Sequence, residues 1–365
     1  MANSDSGIAL KRDRGLITNS VERHYGFPRL VRAQNGELLL FYRIGTTHAY
    51  DDSAIAMRRS SDSGVSWSGE RILWQCEEGY SAHNPVCVIG AQGRVILWAS
   101  RYQYGPNLRH PCWWSSSDDH GHTWSSWGVF DASSQHNCYY VTDAIHTADG
   151  LLVSDATFPP SGQGSCHTRI LFSGDGGLTW ARRSALTSPD ANLGDESALT
   201  ETEEGNILCI QRDRGRRDIF RFWSRDGGHT WGGRESIRAM LDCTLQRPFL
   251  THLGDRTYLL SGRDFDRKQV VAYLSLDGGH TFGACIELDS YQRDGAYTSV
   301  VRLDSGECLI VWYSDSHTQP LRPDIKMATV ALQGQRKRGS HAKLLPWRFC
   351  VAAVRQRPMV AKVGS

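Results

Sequence analysis

The sequence contains no apolar run approaching the roughly 18 residues that a membrane-spanning helix requires, so no membrane span is predicted. The first twenty residues lack the apolar segment of a secretory signal, and we expect a cytoplasmic protein. The ten cysteines occur singly, without a Cys-x-x-Cys pair, which argues against a zinc ribbon and favours buried thiols. Neither an EF-hand-like loop nor a phosphate-binding loop is present, so no metal and no cofactor are expected.

Acidic residues are absent after residue 334, whereas eight of the 41 Lys and Arg residues lie there. The preceding residues therefore carry 33 basic against 39 acidic side chains, a net charge of −6. This negative charge argues against nucleic acid as a partner. We expect an N-terminal extension over residues 1–20, a folded domain over residues 21–334 and a basic, disordered tail over residues 335–365.

Glycines and aromatic residues are abundant, with 36 of each, and this pairing of turn formers with strand formers favours a β-rich fold. Five octamers share the pattern Ser-x-Asp-x-Gly-x-(Thr/Ser)-aromatic. They begin at Ser60, Ser117, Ser173, Ser224 and Ser275. Their aspartates are separated by 57, 56, 51 and 51 residues, a spacing that indicates a repeat architecture.

Three short β-rich runs precede each octamer and a fourth follows it, and a sixth unit, from YTSVVRL to IKMATVAL, lacks the octamer. Six units of four strands predict an all-β fold, a six-bladed β-propeller. We interpret the octamers as peripheral turns, in which Asp and Ser oxygens accept backbone N–H groups and glycine supplies a positive φ.

The strand ends that face the channel mouth follow from the repeat alignment, because first-strand entrances and second-strand exits open on one face. The exits carry Arg43, Arg101, Asp155, Arg212, Arg263 and Tyr313. Four arginines at equivalent positions suit a carboxylate ligand, which a guanidinium group binds in a bidentate manner. Salt bridges to Asp195, Glu196 or Asp264 are the alternative.

Three entrance or loop positions carry groups suited to catalysis. Glu196 precedes Arg212 by sixteen residues, one strand–turn–strand, so both should meet on the same face. Tyr297 enters the sixth blade, which closes against the first; simple channel packing is the alternative role for this ring. Asp51 and Asp52 lie in the loop between the second and third strands of blade one.

The octamers resemble the Asp-boxes of the sialidase (neuraminidase) superfamily, six-bladed propellers that cleave terminal sugars, over roughly residues 20–332. The stretch DGAYTSVVRLDSG resembles the segment with the family's nucleophilic tyrosine, and GDESALTETEEGNILCIQRDRGRR resembles the one with its activating glutamate. The resemblance implies that Tyr297 attacks, Glu196 accepts its proton and Arg212 holds the substrate. It also implies that Asp51 or Asp52 is the general acid–base.

The family's carboxylate-binding arginine triad is matched only in part. The third arginine is Arg263 by repeat position, or Arg267 by its flanking residues. The family opens blade one with Tyr-Arg-Ile-Pro, whereas this chain reads Tyr-Gly-Phe-Pro from residue 25, so Gly26 replaces one arginine. Arg43 leaves the second strand of the same blade and is expected to compensate.

These residues predict a retaining exo-glycosidase that removes a terminal, acidic sugar, sialic acid or a relative, from a glycoconjugate, with carbohydrate as its partner. A phenol has a pKa near 10 and needs a base beside it to act as a nucleophile. It also meets less charge repulsion at an anionic sugar than a carboxylate does. Two alternatives are a non-catalytic carbohydrate-binding propeller and a polysaccharide lyase. The lyase would draw on His83, His146, Tyr102 and Arg101.

Overall fold

The computed structural model describes residues 9–48, 52–131, 138–157, 167–186, 196–316 and 322–332, and it contains six four-stranded antiparallel sheets. These sheets are the blades of a β-propeller, which confirms the predicted fold. In blades one to five, strands that are consecutive in sequence pair side by side. Each of these five blades is therefore a simple meander whose first strand lies innermost.

The blades comprise the following strands. Blade one contains β2 (His24–Arg32), β3 (Leu38–Gly45), β4 (Ala54–Ser60) and β5 (Arg71–Gln75). Blade two contains β6 (Ser81–Ile89), β7 (Val95–Gln103), β8 (Leu108–Ser117) and β9 (Gly128–Val129). Blade three contains β10 (Val141–Thr147), β11 (Gly150–Thr157), β12 (His167–Ser173) and β13 (Ala181–Ala185). Blade four contains β14 (Ser197–Glu201), β15 (Ile207–Arg212), β16 (Ile219–Ser224) and β17 (Glu235–Ser236).

The last two blades complete the ring. Blade five contains β18 (Leu245–Gly254), β19 (Thr257–Asp264), β20 (Gln269–Ser275) and β21 (Gly283–Ser290), preceded by the short helix α1 (Arg238–Leu241). Blade six contains β22 (Gly295–Arg302), β23 (Cys308–Ser314), β24 (Asp324–Leu332) and β1 (Ala9–Leu16). No helix among the described residues is long and apolar enough to span a membrane.

The innermost strands form a closed circle, because each of β2, β6, β10, β14, β18 and β22 contacts its counterparts in the two adjacent blades. The hydrophobic core lies between the blades. Leu40 of blade one packs in the same buried cluster as Leu309 of blade six, and Ile96 of blade two with Leu151 of blade three. Each blade thus buries its faces only against its neighbours, so stability requires the complete ring.

The outermost strand of blade six comes from the start of the chain. Strand β1 pairs antiparallel with β24, from Ala9 opposite Leu332 to Leu16 opposite Lys326. This strand lies within residues 1–20, which the sequence analysis placed in an N-terminal extension. The sixth unit has no octamer to lead into a fourth strand of its own, and pairing the two ends of the propeller closes the ring instead.

The five octamers form the turns between the third and fourth strands, at the periphery of the blades, as predicted. Around Asp175, the carboxylate accepts hydrogen bonds from the Thr179 N–H at 2.9 Å, the Thr179 hydroxyl at 2.5 Å and the Ser173 hydroxyl at 2.7 Å. The same contacts recur around Asp62, Asp119, Asp226 and Asp277. A Cβ on Gly177, which has φ +93°, would lie 2.2 Å from Ile96 of the preceding blade, so the turn requires glycine there.

We predict that the octamer aspartates make stability pH-dependent. Hydrogen bonds from the Ser66 hydroxyl and N–H, and from the Ser60 hydroxyl, lower the pKa of Asp62 from 3.8 to about 2. A carboxylate whose pKa is lower in the folded state stabilises the fold above its unfolded pKa, and the gain disappears as the pH falls through the folded value. The Asp62→Asn variant should therefore unfold at less urea than wild type at pH 7, with the difference narrowing from about pH 4 towards pH 2.

The matched control is Asp255→Asn, at an exposed hairpin position. Its urea midpoint should follow that of wild type at every pH. An Asp62→Asn deficit that stayed constant down to pH 2.5 would contradict the hydrogen-bond origin of the stabilisation.

Candidate functional site

The channel mouth is built by irregular entrances to the innermost strands. The pairing register shifts near the start of the first strand in blades one, two, three, five and six, and in all of these except blade three one residue at the shift has a positive φ. These residues are Phe27 (56°), Asn84 (45°), Arg247 (46°) and Ala296 (80°). Positive φ in residues other than glycine costs roughly 1–3 kcal/mol and concentrates at functional sites. Such bulges re-aim side chains, and here Phe27, Asn84 and Arg247 line one cavity with Tyr297, the neighbour of Ala296.

Tyr297 and Glu196 meet in this mouth. The Tyr297 hydroxyl donates a hydrogen bond of 2.9 Å to Glu196 Oε1, and the Tyr140 hydroxyl donates one of 3.0 Å to the same oxygen. Glu196 is only 2% exposed, and its Oε2 lies 2.6 Å from Arg212 Nη1. The structure thus brings together the three residues to which the resemblance assigns attack, proton acceptance and substrate binding. Tyr140 is an addition that the sequence analysis missed.

The electrostatic surroundings keep Tyr297 protonated at neutral pH. Burial and the negative charge of Glu196 raise the pKa of Tyr297 to about 12, against the opposing effect of Arg263, Arg212 and Arg247. A phenol in this state cannot attack as a phenolate, so it must lose its proton as the new bond forms. Glu196 Oε1, which already accepts that proton in a hydrogen bond, is placed to take it.

Of the two candidates for the third arginine, the structure places Arg263 beside Tyr297. Its guanidinium lies 5.3 Å from the centre of the Tyr297 ring, and its Nε donates to the Gly295 carbonyl at 2.7 Å. Arg263 Nη2 also lies 3.5 Å from Asp294 Oδ1. Arg267 is instead held at the exposed surface by Asp242 and Asp264, which corrects its assignment to the substrate site.

The other two predicted arginines have protein partners as well. Arg43 is fully buried and donates a hydrogen bond of 2.7 Å to the Thr47 carbonyl. This bond connects β3 to the blade-one loop. Arg101 pairs with Glu77 at 3.0 Å and stacks on the Tyr80 ring at 3.6 Å, between blades one and two. In this structure an ion pair and a ring therefore occupy the guanidinium of Arg101, and its role in substrate binding stays a prediction.

Of the two candidate acids in the blade-one loop, Asp52 lies within the described residues. Asp52 is exposed, and its Oδ1 accepts a hydrogen bond of 3.4 Å from the Thr46 N–H. Asp51, the other candidate acid–base, lies outside the described residues. His48, in the same loop, was not anticipated as part of the site.

A hydrogen-bonded cluster of His24, His48 and Asp294 fills the region next to Gly26. Asp294 Oδ2 lies 2.7 Å from both His24 Nε2 and His48 Nδ1, and the Tyr313 hydroxyl donates to Oδ1 at 3.0 Å. Burial raises the pKa of Asp294, but the hydrogen bonds from the two histidines outweigh it and hold that pKa well below its usual value. A Cβ on Gly26 would lie 2.9 Å from His24 Cε1. The space that the family's blade-one arginine would enter is therefore taken by a histidine.

The same cluster offers three possible metal ligands whose donor atoms lie within 4.8 Å of one another. Arg43 Nη1 lies 3.4 Å from His24 Nδ1, and since a guanidinium group only donates, His24 carries its proton on Nε2. That proton points at Asp294, where a metal would have to bind, and the charges of Arg43 and Arg263 oppose a divalent cation. The geometry fits a hydrogen-bond network better than a metal centre.

The residues considered for a lyase are not brought together. His83 bonds Tyr104 at 2.6 Å rather than Tyr102, which instead donates to Asn107. His146 is exposed on β10, and Arg101 is paired with Glu77. The set therefore lacks the shared site that proton abstraction beside a neutralised carboxylate requires.

Comparisons with known proteins agree with this fold. The matching family model is the BNR repeat-like domain, over residues 70–311. No curated protein matches the chain. Among solved structures, a protein of unknown function from Dyadobacter fermentans is similar at 18% identity and a TM-score of 0.75, over 88% of this chain and 99% of that one.

Two sialidases are also similar. The Hadza microbial sialidase Hz136 matches at 21% identity and a TM-score of 0.66, over 85% of this chain and 66% of that one. The NanB sialidase from Streptococcus pneumoniae matches at 15% identity and a TM-score of 0.62, over 87% and 70%. Identities this low show a shared fold only. Together with the family match, they show that the chain belongs to the BNR repeat-like domain family and has the six-bladed fold of the sialidases.

Proposed function

We propose that this protein is a retaining glycoside hydrolase that removes a terminal acidic sugar, with Tyr297 as nucleophile and Glu196 as its base. The observation that carries the proposal is the 2.9 Å hydrogen bond from the Tyr297 hydroxyl to a carboxylate that is almost fully buried. In the first step, the phenolic oxygen bonds to the anomeric carbon while its proton passes to Glu196 Oε1. The bond to the leaving oxygen breaks at the same time, and water later hydrolyses the glycosyl–tyrosine.

The positive charges around Tyr297 support this step. Arg263 lies over one side of the ring at 5.3 Å, and Arg247 lies 5.5 Å from its centre. Arg212 Nη1 lies 2.6 Å from Glu196 Oε2, and this ion pair orients the carboxylate towards Tyr297. Preorganised cations of this kind stabilise the negative charge that develops on the phenolic oxygen as its proton leaves.

The proton for the leaving oxygen is assigned to the blade-one loop, which carries Asp51, Asp52 and His48. Asp52 is exposed, whereas His48 is held through Nδ1 by Asp294, so its second ring nitrogen is the one available to a ligand. Asp51→Asn, Asp52→Asn and His48→Gln variants separate the three candidates, because removing the true acid matters little when the leaving group is a good one. The variant that cleaves an activated aryl glycoside normally but a natural linkage slowly identifies the acid.

We predict that Tyr297→Phe abolishes hydrolysis while leaving the fold intact, since only one hydroxyl is removed. Glu196→Gln should lower kcat by about 10²–10⁴-fold, the usual contribution of a positioned base. Activity is measured on a panel of 4-methylumbelliferyl glycosides of acidic sugars, sialic acid, 3-deoxy-octulosonic acid and uronic acids among them. A fluorinated sugar that traps the intermediate should add its mass to the peptide that contains Tyr297.

Tyr102→Phe is the matched control, because it removes a hydroxyl at the residue that a lyase mechanism would use. It should turn over like wild type. Label on another peptide, or normal activity of Tyr297→Phe, would overturn the mechanism. An ultraviolet-absorbing unsaturated product would indicate a lyase, and a protein that binds acidic sugars yet cleaves none would be a carbohydrate-binding module.

A second prediction concerns the residue that replaces the family's blade-one arginine. Gly26→Ala should destabilise the protein by about 1–3 kcal/mol, because the new Cβ displaces the His24 ring from Asp294. In a His24→Ala background the clash is absent, so the same substitution should have a smaller effect. Urea unfolding of the four proteins measures the coupling. Gly233→Ala, where a Cβ meets nothing within 4 Å, is the control, and equal costs in both backgrounds would refute the assignment.

A further inference from the structure

The arginines expected to bind the anionic group of the substrate are occupied by the protein itself. Arg212 is paired with Glu196, Arg263 donates to the Gly295 carbonyl and faces Asp294, and Arg43 donates to the Thr47 carbonyl. A guanidinium group that already has a carboxylate or carbonyl partner gains less from a further anion. An acidic sugar therefore needs a cation elsewhere in the mouth.

Arg247 is such a cation. Among the described residues it has no hydrogen-bond partner and no ion pair, and its Nη1 is buried from solvent. Its guanidinium lies 5.5 Å from the centre of the Tyr297 ring and 5.8 Å from that of Tyr140. These are the two tyrosines that donate to Glu196, so the unpartnered cation lies directly beside the reacting groups.

The backbone at Arg247 is strained to hold this position. The residue has φ +46° and precedes Pro248, at the bulge of β18. A buried polar group without a partner destabilises the fold, and so does the backbone conformation. Packing alone does not explain two unfavourable features at one residue, whereas a ligand that pairs with the guanidinium does.

Asn84 complements Arg247 from blade two. It also precedes a proline at a bulge, with φ +45°, and its Nδ2 donates to the Tyr140 hydroxyl at 3.1 Å. Its Oδ1 is buried without a hydrogen-bond partner among the described residues. The site thus offers an unsatisfied cation and an unsatisfied acceptor, which match a carboxylate and a hydroxyl of one sugar.

The space between these residues is small. A cavity of about 20 Å³ is lined by Phe27, Asn84, Arg247 and Tyr297. Arg29 and Asp143 also line it, but they form an ion pair of 2.9 Å with each other. That volume holds a group of the size of one water molecule and excludes a sugar ring. A sugar must therefore lie above Tyr297 and insert only a substituent towards the guanidinium.

We propose that Arg247 binds the anionic group of the sugar, in place of the strand-exit arginines, while Asn84 accepts a hydrogen bond from one of its hydroxyls. The proposal rests on the proposed function only in taking a sugar as the ligand, and it does not depend on turnover. The ligand is an acidic monosaccharide, and one oxygen of its carboxylate enters the cavity to pair with the guanidinium group.

Isothermal titration calorimetry with free monosaccharides tests this assignment. The probes are N-acetylneuraminic acid, 3-deoxy-octulosonic acid, glucuronic acid and galacturonic acid, with glucose and galactose as uncharged counterparts. We expect at least one acid to bind wild type with an affinity that falls as salt is raised. Arg247→Gln should weaken that binding at least tenfold, and Arg247→Lys should weaken it less, because lysine keeps the charge but loses the fork.

Arg183→Gln is the matched control, because Arg183 also lies over an aromatic ring, that of Phe172, but on the outer part of blade three. It should bind like wild type, and circular dichroism should show all variants folded. Unchanged affinity in Arg247→Gln, loss of binding in Arg263→Gln alone, binding of uncharged sugars only, or no binding of any acid would each overturn the proposal. If no sugar is hydrolysed but Tyr297→Phe binds an acid as strongly as wild type, the hydrolase mechanism fails while the assignment of Arg247 holds.

Discussion

Closure of the ring of innermost strands is the constraint on which the rest of this molecule depends. Each blade covers its apolar faces only with its neighbours, so an open ring would expose two faces at once. Pairing of β1 with β24 joins the two ends of the propeller. The same closure places Tyr297 of blade six against Glu196 at the entrance to blade four, although 101 residues separate them in sequence.

Residues other than glycine with a positive φ lie in the mouth and also in outer turns, for example Ser63 and His120 of two octamers. The strained residues of the mouth, Phe27, Asn84, Arg247 and Ala296, lie at the inner ends of the blades. The octamer turns lie at the outer ends, where aspartate and serine satisfy backbone N–H groups that would otherwise face water. The regular outer turns and interblade cores stabilise the ring enough to hold unfavourable backbone conformations at its centre, where they direct polar groups at a ligand.

Much of the fold could be predicted because equivalent residues of a sequence repeat occupy equivalent positions in their blades. The octamers locate the third and fourth strands, and the alignment places Glu196, Arg212, Arg263 and Tyr297 at the mouth. Strand β1 could not be found in this way, since it is paired through a unit without an octamer. Whether Arg267 or Arg263 faces the site was also undecidable from flanking residues, because it depends on the ion pairs of Arg267 with Asp242 and Asp264.

Other site residues could not be predicted from the sequence, for a different reason. Arg247 and Asn84 each stand before a proline, a context that predicts extended backbone, and their side chains reach the mouth only through the positive φ of a bulge. The pairs Arg-Pro and Asn-Pro at blade entrances are the signal that could have found them. His24 and Asp294 came together only in three dimensions, across 270 residues, and nothing local in the sequence links them.

The arginines of the mouth differ in whether a carboxylate of the protein already neutralises their charge. The buried Glu196 faces Arg212, and the partly buried Asp294 faces Arg263, so both arginines have a carboxylate partner before any ligand arrives. When an acidic sugar pairs with Arg247, the positive charge of that guanidinium no longer offsets a phenolate. Arg212 and Arg263 then remain to stabilise the charge that develops on Tyr297 as its proton moves to Glu196. On the proposed assignment, the strand-exit arginines tune the nucleophile and Arg247 recognises the substrate, so carboxylate binding and nucleophile activation use different cations.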